Sequence, residues 1–276
     1  MKLANKTVFI TGASRGIGRA IALRCAKDGA NVVLAAKTSA PHPKLPGTIH
    51  TVAAEVEAAG GRALAVCTDV RIEDDVRRAV DAAVAAFGGI DALVNNAGAV
   101  SLLGLADTPM KTFDLMMGVN ARSVFLCAKV CLPHLERSSR AHILSLSPPL
   151  SPDARWIGGR EAYTLSKYGM TLLSMGLAES LRERSISVST LWPRTLIATA
   201  AVDMLMGAEG MRRARTPEIV ADAAYEILST DDLALSGRAL IDEDLLRERG
   251  VRDFDKYLVT PGEEPLGDLY VGDPWD

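Results

Sequence analysis

A tyrosine and a lysine stand four residues apart at Tyr163 and Lys167. On a helix this spacing places both side chains on one face, one turn apart. An unperturbed phenol titrates near pH ~10, and a neighbouring ammonium lowers that pKa because it favours the phenolate. The pair is therefore suited to proton transfer to or from an alcohol near neutral pH. Taken alone, such a pair is more often an exposed tyrosine beside a solvated lysine.

A glycine-rich turn near the start of the chain supplies a context for that pair. A short apolar strand, Thr7 to Ile10, runs into the turn, and an amphipathic helix of about Arg19 to Asp28 follows it. In such a turn Gly12 would permit a tight bend, Gly16 the close approach of a pyrophosphate, and Gly18 the packing of helix on strand. Free amides at the helix start would hold the phosphates. The arrangement therefore predicts a dinucleotide site rather than a structural turn.

The end of the second predicted strand, Asn31 to Ala36, indicates which dinucleotide is bound. An acidic residue about twenty positions past the glycines would accept a hydrogen bond from the adenosine ribose of NAD. Lys37 stands there instead, and Arg15 lies within the glycine turn. Two cations near the ribose favour a 2′-phosphate and predict NADP(H), the alternative being that Lys37 is a solvated strand end. The proline-rich loop 38–48 either covers the adenine end or is a passive surface loop, and the passive loop is favoured.

Polar or small residues also follow the later predicted strands. Asp69 comes after the strand Ala63 to Cys67 and is a candidate to bind the adenine amino group. The strand Ala92 to Val94 is followed by residues that leave room for a nicotinamide ribose, namely Asn95, Asn96, Ala97 and Gly98. The strand His142 to Leu146 ends at Ser147, where two prolines fix the direction of the hydroxyl.

The long predicted helix of about Thr112 to Leu132 carries an amide, Asn120, in an apolar run. An unpaired buried amide costs on the order of 1–3 kcal/mol, so this side chain needs partners. It could form a bend or hold a water in a proton path, and the sequence leaves both interpretations open.

Strands and helices alternate along the chain, which predicts an α/β fold: a single Rossmann-type doubly wound parallel sheet with helices on both faces. No repeat or linker divides the chain, so residues 1–276 are expected to form one dinucleotide-binding domain. The other predicted elements are the helices Thr51 to Ala59, Val76 to Phe87, Tyr163 to about Arg184, Ala198 to Met206 and Pro217 to Leu228, and the strands Ile186 to Leu191 and Arg238 to Ile241.

Composition indicates which classes of partner to expect. With 276 residues and 48% hydrophobic content the chain can bury one large core, and its formal net charge of -3 indicates no nucleic-acid partner. Cys127 and Cys131 are helically spaced in an apolar run and are expected to be core thiols rather than a disulfide, and the scattered histidines predict no metal site. No signal peptide and no apolar run of membrane-spanning length is recognised. We therefore expect a reduced, soluble, cytoplasmic protein.

Motifs in a fixed order resemble the short-chain dehydrogenase/reductase family, namely Thr11 to Gly18, Asn95 to Gly98, Asn120 and Tyr163 to Lys167. The resemblance covers nearly the whole chain. Further stretches resemble the hydroxysteroid dehydrogenase-like protein 2 group, namely Lys37-Thr38, Pro41 to Lys44, Ser147 to Pro149, Trp192 to Thr195 and Asp203 to Leu205. Animal members of that group carry a C-terminal sterol-carrier domain, which is not expected here.

The resemblance implies a role for each matched residue. Tyr163 would be the general acid or base, and Lys167 would hold the nicotinamide ribose and lower the tyrosine pKa. Asn120 would position a proton-relay water. Ser147, in place of the family serine that Pro148 displaces, would donate a hydrogen bond to the substrate oxygen. Asn95 would lie at the ribose. The implied cofactor-binding residues are Gly12, Ser14, Arg15, Gly16, Ile17, Gly18, Lys37, Asp69, Val70, Asn96, Ala97, Gly98, Tyr163, Lys167, Pro193 and Leu196.

Two departures from the family pattern concern the substrate side. Pro148 stands where the family has a second serine after the fifth strand, so Ser147, or Ser145 two residues back, would have to replace it. The family's Pro-Gly after the sixth strand reads Pro193-Arg194, which puts a cation near the expected substrate mouth.

The resemblance implies an NADP(H)-dependent oxidoreductase that moves hydride between nicotinamide and a carbonyl or secondary alcohol. The alternative is an NADP(H)-binding protein with weak or no catalysis, acting as a redox sensor or scaffold, and Lys37 disfavours the use of NAD. The expected partners are a small-molecule carbonyl or alcohol substrate and further copies of the chain, as a homo-tetramer or homo-dimer, with no nucleic acid and no membrane. The sequence does not identify the substrate.

Overall fold

A computed structural model describes residues 1–43 and 45–272 of the protein. Its strands are β1 (Thr7–Thr11), β2 (Asn31–Ala36), β3 (Arg62–Cys67), β4 (Ala92–Asn95), β5 (Ala141–Leu146), β6 (Ile186–Trp192) and β7 (Ala239–Ile241). They form one parallel sheet in the order β3-β2-β1-β4-β5-β6-β7. The strand order reverses between β1 and β4, and ligands of such sheets bind outside the carboxyl ends at that point. The predicted α/β fold class is confirmed.

Helices cover both faces of the sheet. They are α1 (Gly16–Ala26), α2 (Ile49–Ala58), α3 (Glu73–Phe87), α4 (Met110–Met116), α5 (Ser123–Leu135), α6 (Ala154–Ile157), α7 (Glu161–Ser180), α8 (Ala200–Arg212), α9 (Glu218–Leu228) and α10 (Asp242–Glu248). Side chains of α1, α2 and α9 belong to the core on one face, and those of α3, α5 and α7 to the core on the other.

Successive residues of β1 supply the two cores in turn. Val8 and Ile10 belong to the core under α1 and α9, whereas Phe9 belongs to the core under α3 and α5. All three side chains are fully buried, and burying an apolar side chain of this size contributes about 1.5–3 kcal/mol. Because both faces are covered, the central strands are continuously apolar rather than alternating.

Element boundaries shift from the predicted ones where a cap decides them. The helix predicted from Thr51 begins at Ile49, because Thr48 and Thr51 cap its first turn through reciprocal bonds between side chain and backbone. Two short helices, α6 and α10, were not predicted from the sequence. The sequence signal for α10 is three acids in its first turn, Asp242, Glu243 and Asp244. The helix dipole favours negative charge at that end.

A continuous helix connects β4 to β5. It runs over Met110–Leu135 and contains a π-helical segment, Met117–Arg122, between α4 and α5. By length and composition this helix could cross a membrane, which corrects the prediction that no apolar run is that long. Its most apolar window is 61% buried inside the protein, and a core helix of a soluble protein passes the same test.

A buried ion pair connects Arg215, just before α9, to Glu243 in α10. Arg215 donates a hydrogen bond to Glu243, and each side chain is only 9% exposed. The backbone amide of Arg215 donates to the carbonyl of Leu196 (2.9 Å), so the pair fixes the chain that follows β6. A buried pair is costly to break because the remaining charge loses its partner.

Replacing Glu243 by glutamine is expected to lower the free energy of unfolding by about 3 kcal/mol, because the Arg215 guanidinium then stays buried without its counter-charge. The matched control is Glu248→Gln in the exposed pair of Arg238 and Glu248, which should change stability by less than about 1 kcal/mol. Urea unfolding of the three proteins measures both values. Equal stabilities of the two variants would contradict the prediction.

Candidate active site

A cavity of about 490 Å³ opens along the carboxyl ends of the strands β1 to β6. It brings together most of the residues predicted from the sequence, namely Gly12, Ser14, Arg15, Gly16, Ile17, Lys37, Asp69, Val70, Asn96, Ala97, Gly98, Tyr163, Lys167, Pro193 and Leu196. Gly18, Asn120 and Ser147 lie outside its lining. The position expected for Asn95 at the ribose is not found, because its side-chain amide donates to Ser145 Oγ inside the protein (3.3 Å).

Hydrogen bonds from Asn96 attach the glycine turn to the end of β4. Its side-chain Nδ2 donates to the carbonyls of Thr11 (2.9 Å) and Gly12 (3.1 Å). In return, Thr11 Oγ1 accepts from the backbone amides of Asn96 and Ala97, both at 3.0 Å. The turn and the strand end therefore form one rigid wall of the cavity.

This attachment leaves no room for side chains at two of the predicted glycines. A Cβ on Gly12, whose φ is +68°, would lie 2.8 Å from the Cα of Ala97. A Cβ on Gly18 would lie 2.4 Å from Asn96 Nδ2 and 2.7 Å from the carbonyl oxygen of Gly12. Gly18 thus serves the site through packing and does not line the cavity.

The first turn of α1 faces the cavity with its backbone amides. The helix begins at Gly16 and has no side-chain cap from Arg15, and Gly16 and Ile17 both line the cavity. Uncapped amides at a helix N-terminus, with the positive end of the helix dipole, form a ready site for phosphate.

Two cations flank the end of β2. Lys37 is 61% exposed, and its Nζ lies 3.8 Å from Asp69 Oδ2. The side chain of Arg15 donates to the carbonyls of Pro46 (3.0 Å) and Gly47 (3.3 Å) in the proline-rich loop. The loop therefore packs on the glycine turn, and its first residue, Thr38, lines the cavity.

The carboxylate of Asp69 is held by a neighbouring guanidinium. Arg71 donates to both of its oxygens at 2.6–3.2 Å, and this hydrogen bonding lowers the pKa of Asp69 despite partial burial. Asp69 is therefore anionic at neutral pH and lies 3.8 Å from Lys37 at the same end of the cavity.

The structure corrects the expected effect of Lys167 on Tyr163. The lysine Nζ donates to the carbonyl of Leu146 (2.6 Å), and burial lowers the pKa of Lys167 to about 7. Tyr163 is 8% exposed, and its burial raises the pKa of the phenol well above 10.0. Burial and the neighbouring Tyr270 and Asp268 all favour the neutral phenol, so Tyr163 stays protonated at neutral pH.

Asn120 lies in the π-helical segment with its side chain fully bonded. Its Oδ1 accepts from the amide of Ala99 (2.8 Å), and its Nδ2 donates to the carbonyl of Ala99 (2.9 Å) and to Ser166 Oγ (2.8 Å). Ser166 Oγ in turn donates to the carbonyl of Tyr163 (2.7 Å). The amide therefore links the irregular helix to the backbone of Tyr163, which supports the bend-forming interpretation.

The serines at the end of β5 do not reach the cavity. Ser147 Oγ accepts a hydrogen bond from Thr171 Oγ1 (2.9 Å), and Ser145 Oγ accepts from Ser174 Oγ (3.0 Å). Both serines are fully buried. The predicted hydrogen bond from Ser147 to a substrate therefore has no support in this geometry.

Arg194 also departs from its expected place. Its guanidinium pairs with Asp244 in α10 (2.5 Å), and the residue does not line the cavity. The cation predicted at the substrate mouth is therefore paired with an acid outside it.

The C-terminal tail supplies cavity residues that the sequence analysis missed, namely Asp268 and Leu269. Trp192 at the end of β6 also lines the cavity, and its Nε1 donates to the carbonyl of Leu269 (2.8 Å). The aromatic composition of the tail was the available signal, but its partner Trp192 lies far away in sequence. Among the residues that the structure describes, no group of three or more His, Cys, Asp or Glu could hold a metal ion.

Comparison with known proteins identifies the family of the chain. The model of the short chain dehydrogenase family matches residues 6–208. The chain belongs to the short-chain dehydrogenase/reductase family. The family predicted from the motifs is thereby confirmed.

Individual relatives of this short-chain dehydrogenase/reductase agree with the motif-based prediction of its group. Hydroxysteroid dehydrogenase-like protein 2 of Danio rerio is 55% identical over 276 residues, which are 100% of this chain and 66% of that protein. The Homo sapiens protein of the same name is 51% identical over 270 residues, 98% of this chain and 64% of that protein. The chain thus spans about two thirds of the length of these curated relatives.

Solved structures share the fold over nearly the whole chain. The match to a crystal structure from Xanthomonas campestris covers 99% of this chain and 100% of the matched chain, with 52% identity and a TM-score of 0.96. The match to a short chain dehydrogenase from Mycobacterium thermoresistibile covers 99% of this chain and 98% of the matched chain, with 49% identity and a TM-score of 0.93.

The packing of Gly18 in this short-chain dehydrogenase/reductase leads to a prediction. Gly18→Ala should lower the free energy of unfolding by about 1–3 kcal/mol, because the methyl group collides with Asn96 and the turn. Gly89→Ala is the control, since nothing lies within 4 Å of a Cβ there. Thermal unfolding compares the variants, and a Gly18→Ala protein as stable as Gly89→Ala would refute the packing argument.

Proposed function

We propose that the protein is an NADP(H)-dependent oxidoreductase that transfers hydride between the nicotinamide and a carbonyl or secondary-alcohol carbon. The observation that carries the proposal is that Tyr163 and Lys167 line the same cavity as the glycine turn. A cavity with a phosphate site alone would suit many nucleotides. A buried phenol and amine at its other end add proton-transfer chemistry, which a simple binding protein does not need.

The residues present fit such a cofactor. The turn at Gly12 has no space for a Cβ, so the backbone can approach a pyrophosphate closely. The uncapped amides at the start of α1 suit its phosphates. When bound, the nicotinamide supplies or accepts the hydride, and the protein aligns the reacting atoms.

Tyr163 carries the proton in this proposal. Because its burial keeps the phenol protonated, its hydroxyl can donate a proton to the oxygen of a carbonyl as that oxygen becomes an alkoxide. The hydrogen-bond chain from Asn120 through Ser166 holds the backbone at Tyr163 in place. Lys167, with a pKa near 7, can exchange protons with the solvent near neutral pH.

Support for NADP(H) over NAD comes from Lys37 and Arg15 beside the expected ribose end. Related structures of the family occur with either cofactor. A metagenomic enzyme 28% identical to this chain (TM-score 0.72) is in complex with NADP, and so is one from Burkholderia cenocepacia at 30% identity (TM-score 0.75). A Mycobacterium paratuberculosis protein at 25% identity (TM-score 0.74) is bound to NAD. The preference of this chain therefore rests on its own cations.

Lys37→Ala is expected to weaken NADPH binding about tenfold, because one cation beside the 2′-phosphate is lost, which corresponds to ~1.4 kcal/mol. Binding of NADH, which lacks that phosphate, should change little. Lys27→Ala, an exposed lysine at the end of α1, is the control for net charge. Titration calorimetry gives both affinities. Equal affinities of the wild-type protein for NADPH and NADH would overturn the proposed preference.

Tyr163→Phe is expected to reduce turnover by about 10²–10⁴ while leaving NADPH affinity unchanged, because only the proton donor is removed. Tyr225→Phe, whose hydroxyl donates to Asp28 far from the cavity, is the control. Ser147→Ala should keep turnover within a few fold, since its hydroxyl faces Thr171. A screen of aldehydes, ketones and alcohols, followed by NADPH absorbance, supplies the assay. Wild-type turnover by Tyr163→Phe would refute the mechanism.

The second candidate function is NADP(H) binding with weak or no catalysis. It is favoured by the position of Ser147 and Ser145, neither of which brings a hydroxyl to the cavity beside Tyr163. Such a protein would bind NADPH and turn over no substrate in the screen, so the same assay separates the two functions.

The proposed partners are a small carbonyl or alcohol substrate and further copies of the chain, in the cytoplasm and without nucleic acid or membrane. The free thiols agree with a reducing compartment. Large apolar side chains are exposed on the neighbouring helices α5 and α7, namely Phe125, Leu165, Leu172 and Met175 at 47–58%. Closed symmetric assembly is the common way to bury such a face.

We expect a homo-tetramer or homo-dimer by light scattering at micromolar concentration. Leu172→Glu should shift it towards the monomer, because a charge would then be buried in the interface. Leu105→Glu, at a residue 86% exposed and away from these helices, should leave the assembly unchanged. A monomeric wild-type protein would contradict the expectation.

A further inference from the structure

The C-terminal tail is attached to the chain that follows β6. The backbone amide of Leu196 donates to the carbonyl of Leu266 (2.9 Å), and that of Asp268 donates to the carbonyl of Arg194 (3.0 Å). Together with the bond from Trp192 to Leu269, these contacts determine the path of the backbone on both sides of Asp268. The tail is therefore an ordered wall of the cavity.

An aromatic cluster surrounds Tyr270, two residues after Asp268. The ring of Tyr270 lies 5.4–6.0 Å from the rings of Trp156, Tyr168 and Trp192, and its hydroxyl is 3.0 Å from Thr164 Oγ1. Tyr270 is 4% exposed. Aromatic pairs at such distances contribute about 0.5–1.5 kcal/mol each beyond their burial. Asp268 is thus presented to the cavity by neighbours that cannot easily move.

The carboxyl of Asp268 lines the cavity beside Tyr163 and Lys167. Its Oδ1 accepts a hydrogen bond from the amide of Leu269 (2.6 Å), and among the described residues Oδ2 has no hydrogen-bond partner. Burial raises the pKa of Asp268 to about 8, and Lys167 opposes that shift. A carboxyl with such a pKa carries a proton at neutral pH and can donate a hydrogen bond.

A carbonyl in the cavity needs donors at its oxygen as negative charge develops there. Tyr163 is one donor. Lys167 Nζ already donates to Leu146, and the hydroxyls of Ser147 and Ser145 are engaged inside the protein. We propose that Asp268 is a further substrate-binding residue, which donates a hydrogen bond from its carboxyl to the reacting oxygen alongside Tyr163. The inference rests on the proposed carbonyl reduction.

The test compares Asp268→Leu, which removes the donor at similar size, with Asp268→Asn, which keeps an N–H donor. The probes are acetophenone, cyclohexanone and decanal with NADPH. Loss of one such donor costs about 10²–10³ in turnover, so Asp268→Leu should fall by that factor, whereas Asp268→Asn should stay within about tenfold of wild type. Calorimetry should give the same NADPH affinity for both variants. Asp81→Leu on the exposed face of α3 is the control.

The outcomes separate this inference from the proposed function. Full turnover by Asp268→Leu, or equal losses in Asp268→Leu and Asp268→Asn, would overturn the role of Asp268 while leaving the Tyr163-dependent reaction intact. If the wild-type protein bound NADPH but reduced none of the probes or the compounds of the screen, the proposed function would fail, and the role of Asp268 with it. Asparagine also keeps the shape of the side chain and the acceptor for the Leu269 amide, so the pH profile separates donation from packing. Donation by a protonated carboxyl predicts that wild-type turnover falls as the pH rises through about 8, whereas turnover of Asp268→Asn shows no such fall.

Discussion

The contact between the glycine turn and Asn96 is the constraint on which the cavity depends. Asn96 bonds to the carbonyls of Thr11 and Gly12, and the backbone of α1 passes so close that a Cβ at Gly18 would collide with it. This contact fixes the glycine turn against the end of β4, where the strand order reverses. The amides at the start of α1 are aimed into the cavity because the turn that precedes them is held there.

The pair of Tyr163 and Lys167 shows that burial changes the pKa values that the motif alone would predict. On an isolated helix, Lys167 would be expected to lower the pKa of Tyr163. In the folded protein the lysine turns to the carbonyl of Leu146, and both groups lose water. Desolvation then moves each group towards its neutral form, which raises the pKa of the phenol and lowers that of the amine. The neutral phenol is the form that can give a proton to a developing alkoxide.

The cavity is built from two parts with different origins in the chain. Its cofactor end consists of turns that directly follow β1 to β4, so each residue is placed by the strand before it. The opposite end combines Trp192 with Asp268 and Leu269, which are brought together by hydrogen bonds and by the aromatic cluster around Tyr270. Changes in the tail can therefore alter this end of the cavity without disturbing the glycine turn.

The sequence by itself determined the fold class and the cavity residues that directly follow the strands, because these depend on local signals. The glycine turn after β1 and the residues that follow the next strands, such as Lys37, Asp69 and Asn96, must meet at one edge of a parallel sheet. Only the tertiary structure decided the positions of Asn95, Ser147 and Asp268. The first two turn inward to partners on neighbouring elements, whereas Asp268 reaches the cavity from the far end of the chain. Which way such a side chain faces depends on contacts between residues distant in sequence, and no local pattern records those contacts.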